Sequence, residues 1–374
     1  MSWAASALLW LGVLALLVGV VWAAYRRQPR VTLDRSVPPN GFQGARLPLR
    51  VHVTLRSVLP VRYVLEDPPP RSVVADQAVT FAGATVGEGE FTHETAVLLN
   101  RRGEYDWPDA TLHWADPFGL FWRSVRLPVR THLTVFPGSH GLILPDLLRP
   151  LLSEGTPTRR MGLDDPISLR GAREYQPGDP PGRVHWRLSA RTGTLTVREL
   201  ERMAASSVTV YVDTTHGSDV YVDSAARLAS SLLRTAAEAG LPVSAASNAG
   251  ITPSGTAADA QQAALAHLGG LTPRDEPPVI PPTRGGGNLI ILTHRPTPDL
   301  IRQAMLARAT ASRVSIVAIP EGFYLEPGEN PRRQHVGLPD SIRELERQAS
   351  ALAGTGVLVF ILRGNQSVLQ LGAA

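Results

Sequence analysis

The 374-residue chain contains no cysteine and no lysine. The first absence removes disulfides, thiolate metal sites and cysteine nucleophiles together. The second removes Schiff-base chemistry, the phosphate-binding lysine of a P-loop and the lysine of a kinase site. All 37 basic side chains counted as Lys+Arg are therefore arginine. Charge is modest: 19% of residues are charged and the formal net charge is +4. An excess that small over this length does not call for a nucleic-acid partner. With 43% hydrophobic residues the chain falls among folded proteins, and its length exceeds what one compact core organises.

What the sequence does have begins at its N-terminus. Met1 to Tyr25 carries no charged side chain, and Ala4 to Ala24 is almost wholly Ala, Leu, Val, Gly and Trp. About 20 such residues in a helix span the ~30 Å hydrocarbon layer of a bilayer. Trp3, Trp22 and Tyr25 stand near the two ends, where amphipathic rings favour the interface. Arg26, Arg27 and Arg30 follow at once, whereas no basic residue precedes the run. The positive-inside rule then predicts a single-pass protein of the cell membrane with all later domains in the cytoplasm. A cleaved signal peptide is the competing reading, with Ala23-Ala24 as its small-residue site. It lacks a basic leading region, and the apolar run is longer than such peptides use.

Beyond the anchor the pattern is β. Leu47 to Leu55 alternates apolar and polar residues with period two, as a half-buried strand does. Further strands are predicted at Val61–Leu65, Ala78–Phe81, Phe91–Leu99, Ala110–Trp114 and His132–Phe136, separated by Pro, Gly and Asp turns. This spacing predicts an antiparallel β-sandwich. A connector rich in Pro, Gly and Leu follows, with a short amphipathic piece at Leu144–Leu152. From Val208 onward, buried-strand runs alternate with helical stretches, which predicts a parallel sheet with helices on both faces. The expected organisation is an anchor with its basic flank at 1–30, a β-sandwich at 31–140, a connector and arm at 141–205, and an α/β domain at 206–374.

The densest cluster of charged and aromatic residues runs from Gly171 to Glu201. It includes Arg173, Glu174, Tyr175, Asp179, Arg183, His185, Trp186 and Arg191 beside Pro-Gly turns. Two readings stay open. One is an extended arm fixed by arginine–carboxylate pairs with Trp186 as a packing plug. The other is a docking surface, for which Trp and Arg are the usual energetic anchors. Asp179 and His185 have residue types suited to acid–base work, but no nucleophile at a sensible spacing joins them, so no catalytic residue is assigned.

The order Arg-Glu-Tyr from Arg173, Gly178-Asp179, Arg183, His185-Trp186 and Ser189-Ala190-Arg191 resembles a signature of the bacterial membrane-protein family called domain of unknown function 58. Val197-Arg198-Glu199 extends the match. Upstream, Arg102-Gly103 with Tyr105, and Asp116-Pro117-Phe118-Gly119-Leu120-Phe121, are similar to elements that close the β-domain in that family. The resemblance implies a membrane-anchored protein whose body ends in a von Willebrand factor A-like domain. It also implies work beside MoxR-type AAA+ ATPases. Family members often carry a pair of membrane helices where this sequence shows one.

The resemblance further implies a test for a metal site. In von Willebrand A domains an Asp-x-Ser-x-Ser loop after the first strand, a distant Thr and a later Asp complete an Mg²⁺ shell of hard oxygen ligands. Asp213 and Thr215 match the loop, Gly217 replaces its second hydroxyl, and Thr256 is the candidate distant threonine. His294 stands where the later aspartate is expected, and imidazole is a poor Mg²⁺ ligand. The expected site is therefore degenerate, and no cofactor is assigned beyond Mg²⁺ at Asp213, Thr215 and Thr256. The functional expectation is a non-enzymatic scaffold or adaptor in the lipid bilayer. It binds a protein partner, a MoxR-type ATPase, through the A-like domain and the arm. The alternative is a metal-dependent adhesion or ligand-binding protein outside the cell.

Overall fold

The sequence places its first helix where nearly every residue is apolar and its first sheet where apolar residues alternate, and the structure follows both patterns. It is a computed structural model that describes residues 3–138, 156–157, 163–177, 179, 182, 184–204, 207–283, 287–319, 324–325, 340–361 and 366–367. The amphipathic piece predicted at Leu144–Leu152 lies outside these residues, as does Arg183. The chain forms two compact units, Met1–Phe136 and Pro137–Ala374.

The first unit opens with α1 (Trp3–Ala24), of which Ser6–Ala24 is long and apolar enough to cross a membrane, with none of it buried inside the protein. Nine strands follow: β1 (Arg30–Ser36), β2 (Asn40–Phe42), β3 (Arg46–Glu66), β4 (Val73–Ala75), β5 (Thr80–Leu99), β6 (Gly103–Asp106), β7 (Ala110–Ala115), β8 (Arg123–Leu127) and β9 (His132–Phe136). The larger sheet runs β4-β5-β3-β7-β8, and β1 also pairs with β3. The smaller sheet is β2-β9-β6. Pairs predicted as separate strands are continuous. Leu47–Leu55 and Val61–Leu65 merge into the 21-residue β3, and Ala78–Phe81 and Phe91–Leu99 into β5. The seam is a register break between Ser57 and Val61, a bulge that bends the β3–β5 ribbon without ending it. The β2–β9 pair is parallel, a departure from the antiparallel expectation.

Both sheets close on one core that includes Val51, Val53, Leu65, Leu112, Leu133 and Val135. A charged pair is buried with them. The Arg35 guanidinium grips the Asp67 carboxylate bidentately, through Nε at 3.0 Å and through Nη2, and both side chains are wholly buried. Arg35 Nη1 also donates to Thr131 Oγ1 at 3.0 Å, and the guanidinium lies 4.8 Å from the Trp107 ring centre. The arginine fork thereby satisfies carboxylate, hydroxyl and aromatic face at once.

The second unit begins with β10 (Thr156–Pro157) and β11 (Leu163–Glu174). After α2 (Trp186–Thr192), β12 (Thr196–Ala204) pairs antiparallel with both. The α/β part then alternates β13 (Val208–Val212), α3 (Asp219–Glu238), β14 (Val243–Ser247), β15 (Gly250–Ile251), α4 (Ala258–Gly269), β16 (Asn288–Thr293), α5 (Pro298–Ala307), β17 (Arg313–Ala318), β18 (Tyr324–Leu325), α6 (Asp340–Gly354), β19 (Val357–Ile361) and β20 (Gln366–Ser367). Its sheet order is β15-β14-β13-β16-β17-β19, parallel throughout except for the short edge strand β15. Alternation in β13 sends Val208, Val210 and Val212 to a core shared with α3 and α4, and Tyr211 to the opposite core with α5 and α6. The sheet is therefore covered on both faces, as its uninterrupted apolar strands require.

Candidate functional site

The arm is a strand, a turn, a short helix and a returning strand. Its turn is closed by a fork: Arg173 Nη1 and Nη2 donate to the two Asp179 oxygens at 2.7 and 2.6 Å. Asp179 also accepts the Gln176 backbone N–H at 2.9 Å. His185 caps α2, its Nδ1 accepting the Leu188 N–H at 3.2 Å. Ser189 Oγ accepts the Thr196 N–H at 2.9 Å, tying α2 to β12. Val184 and Val197 bury the seam beneath. Asp179 and His185 are thus each engaged with partners other than one another.

The exposed face belongs to Trp186, 67% accessible, with Arg187 and Arg191 exposed on the same helix. Trp186 is no packing plug. Glu174 is exposed in β11, and half-buried Tyr175 donates its N–H to Leu195 O at 2.8 Å.

The second candidate lies at the carboxyl ends of β13 and β16. These are neighbours in space but not in sequence, so the crevice above them is the switch point at which open α/β sheets bind ligands. Asp213 follows β13 directly and is buried. Its Oδ1 accepts the Thr215 N–H at 3.1 Å, and its Oδ2 accepts the Thr293 hydroxyl at 2.8 Å across the crevice. Thr215 Oγ1 donates to Glu276 O and accepts from Asn248 Nδ2 at 2.8 Å. Asn248 Oδ1 in turn accepts the Tyr211 hydroxyl at 2.8 Å. Burial pushes the Tyr211 phenol far above its ordinary pKa, and the nearby Asp213 charge adds to the shift.

Tyr221, from the first turn of α3, fills the crevice. Its hydroxyl lies 2.8 Å from Asp213 O and 3.2 Å from Leu292 O, and its ring packs 4.5 Å from His294. This explains two departures from the metal pattern. A Cβ at Gly217 would sit 2.7 Å from the Tyr221 ring, so no serine fits there. His294 packs against that ring at a tilt of 49°.

Asp213 and Thr215 are adjacent, but Thr256 is not beside them. Gly255 bridges to Val243 at the opposite end of β14, a strand length of roughly 16 Å away. Ser218 caps α3 by accepting the Tyr221 N–H at 3.1 Å. The Asp213, Thr215 and Thr256 set is therefore not assembled, and the crevice brings together one carboxylate with the Thr215 and Thr293 hydroxyls. No group of three or more His, Asp or Glu side chains able to hold a metal occurs among the described residues.

Asn248, Tyr221 and Thr293 complete this network and were not singled out from sequence. Asn248 had a signal: it is the first polar, non-glycine residue after a buried strand at the carboxyl edge.

The arm and the Asp213 side of the crevice fall in one stretch that a family model matches, whereas Leu292, Thr293 and His294 lie beyond it. Residues 171–289 match the family described as protein of unknown function DUF58. The DUF58 match starts at the end of β11, takes in α2, β13 and α3, and stops inside β16. A comparison with curated proteins finds no match. Among solved structures, the chain is similar to PapD-like domain 7 of human CEP192, at 12% identity over 28% of this chain and 82% of that one, with TM-score 0.21. It is also similar to the CARDB domain of a Pyrococcus furiosus protein in complex with di-metal ions, at 14% identity over 29% and 88%, TM-score 0.18. A third is WR4, an MSP family member of C. elegans, at 11% identity over 29% and 97%, TM-score 0.18. Scores this low establish no shared fold.

Proposed function

We propose that this protein is a membrane-anchored, non-enzymatic adaptor whose α/β domain is von Willebrand A-like. Together with the DUF58 arm, that domain binds a protein partner, a MoxR-type AAA+ ATPase. The observation that carries the reading is Trp186. A tryptophan two-thirds exposed, flanked by Arg187 and Arg191 on a helix fixed at both ends, is preorganised for an interface. The parallel sheet with an Asp-x-Thr loop after β13 supports the A-like assignment. The separation of Thr256 from Asp213 and Thr215 supports protein binding over metal-dependent adhesion. α1, followed by Arg26, Arg27 and Arg30, supports a single pass with the body in the cytoplasm.

Affinity capture from detergent extract tests this directly. The expected result is recovery of a MoxR-type ATPase, reduced at least tenfold by Trp186→Ala and by Arg191→Ala, in line with an anchor worth more than about 1.4 kcal/mol. Failure to recover such an ATPase, or capture indifferent to both substitutions, would overturn the reading. Protease digestion of the C-terminal domain in unlysed cells would overturn the topology.

A further inference from the structure

The end of the first unit beside α1 carries exposed apolar side chains and an arginine-lined cavity that the β core does not use. The β3 bulge between Ser57 and Val61 pushes Val58 out to 95% exposure, with Leu59 partly exposed beside it. A second protrusion is the loop after Asp116. That buried carboxylate accepts the backbone N–H groups of Phe118, Leu120 and Phe121 at 2.8–2.9 Å. Gly119 takes φ +74° to complete the turn. The loop so fixed holds Phe118 78% exposed, with Leu120 and Trp122 exposed too.

Both protrusions are tied to the end of α1. Tyr25 donates its hydroxyl to Pro60 O in the bulge at 2.9 Å. Trp114, on the strand leading into the loop, donates its indole N–H to Tyr25 O at 3.3 Å. Arg123, which follows the loop, lies 5.4 Å over the Trp22 ring, and Arg26 lies 5.5 Å from the same ring. Between α1 and the bulge opens a cavity of about 540 Å³ lined by Tyr25, Arg27, Arg30, Arg56, Val58 and Leu59. Arg30 and Arg56 face each other across the β1–β3 pair, a like-charge contact that destabilises a sheet unless an anion relieves it. Arg56 has one carboxylate, Glu88 at 2.5 Å. Arg27 and Arg30 make no ion pair among the described residues.

We propose that this end of the β unit is a bilayer-docking face, with Val58, Phe118, Leu120 and Trp122 entering the interface and the arginine cavity receiving an anionic phospholipid headgroup. The inference rests on α1 being a membrane anchor. The occupant follows from continuity: the face begins where the bilayer-length helix ends. Apolar side chains rimmed by arginine match the interfacial zone, where aromatic and guanidinium groups both find partners. A protein partner would need no apolar helix beside it. The docked β unit would then be held against the membrane instead of swinging on its linker.

The absence of cysteine makes site-specific labelling clean. Full-length chain is reconstituted in phosphatidylcholine bilayers with or without phosphatidylglycerol. Single substitutions Leu14→Cys, Val58→Cys, Phe118→Cys and Val74→Cys carry an environment-sensitive fluorophore. Val74 lies on β4, roughly 35 Å along the sheet from the bulge, and serves as the remote control. Quenching by headgroup-labelled lipids is expected at 58 and 118 but not at 74, and more strongly with phosphatidylglycerol. Arg30→Gln and Arg56→Gln should each weaken that preference about fivefold. Labels at 58 and 118 as unquenched as 74, with the Leu14 label quenched by acyl-chain-labelled lipids, would overturn docking and leave the anchor standing. A Leu14 label unquenched by acyl-chain-labelled lipids would overturn the anchor itself. Inorganic phosphate reproducing the signal in phosphatidylcholine alone would make the cavity a soluble-anion site and overturn docking.

Discussion

Each unit buries an aspartate at the end of a strand, and the two are held in opposite ways. Asp67 in the β unit is clamped by a guanidinium, with both side chains removed from water. Asp213 in the α/β unit is held by one hydroxyl and one backbone N–H, with no arginine against it among the described residues. A buried charge costs several kcal/mol unless paired, so the Asp67 pair can only be a structural fixture of two sheets. Asp213 sits at the carboxyl edge of a parallel sheet, where its neighbours are the loops that present a binding surface. The same side chain is thus a fastener in one unit and a loop organiser in the other.

The contrast is sharpest under substitution. Asp67→Asn strands a buried guanidinium, and Arg35→Met strands a buried carboxylate. Each should cost about 3–5 kcal/mol, read as a drop in the urea midpoint of the β unit. The double change Arg35→Met with Asp67→Leu should recover most of that loss. A double variant no better than either single would show that the fork's bonds to Thr131 and the Trp107 ring matter more than charge.

Asp213→Asn should cost less than about 1 kcal/mol, because the amide oxygen can keep the Thr215 N–H while the new NH2 donates to the Thr293 hydroxyl, which can accept as well as donate. A loss as large as that of Asp67→Asn would erase the distinction drawn between the two sites. Trp186→Ala should leave stability within about 0.5 kcal/mol while reducing capture of the proposed partner at least tenfold, since an exposed side chain has little packing to lose. A large drop in melting temperature for this variant would restore the packing-plug reading of the arm.

The smallest effect concerns pH. Burial, reinforced by the Arg274 charge, holds the His267 imidazole below its ordinary pKa, and its Nε2 lies 2.9 Å from Ser247 Oγ. The unfolded chain therefore binds a proton that the folded α/β unit resists. Stability is intact above about pH 6.5 and falls as pH drops below it, until the folded imidazole also protonates. His267→Gln should flatten this part of the stability–pH curve. An unchanged slope would place the titration elsewhere.

The sequence announces elements whose period is unbroken. From Val208 onward the expected alternation of buried strands and helices is what the structure shows, because a buried parallel strand reads as one apolar run. The β3–β5 ribbon departs from expectation, since Ser57-Val58-Leu59-Pro60 carries the marks of a turn while a bulge lets pairing continue through it. The arm's chemistry was legible in its residue types, but whether Trp186 faced in or out depended on tertiary placement. In the metal pattern Asp213 and Thr215 were local and readable. Thr256 failed because the chain runs antiparallel along β14 before reaching it. Tyr221 was hidden altogether: one aromatic residue in a helical stretch gives no sign of the crevice it enters.

The Tyr221 hydroxyl, between the carbonyls of Asp213 and Leu292, has a mechanical meaning as well. Tension applied to α3 reaches the ends of β13 and β16 together, and those are the two central strands of the sheet.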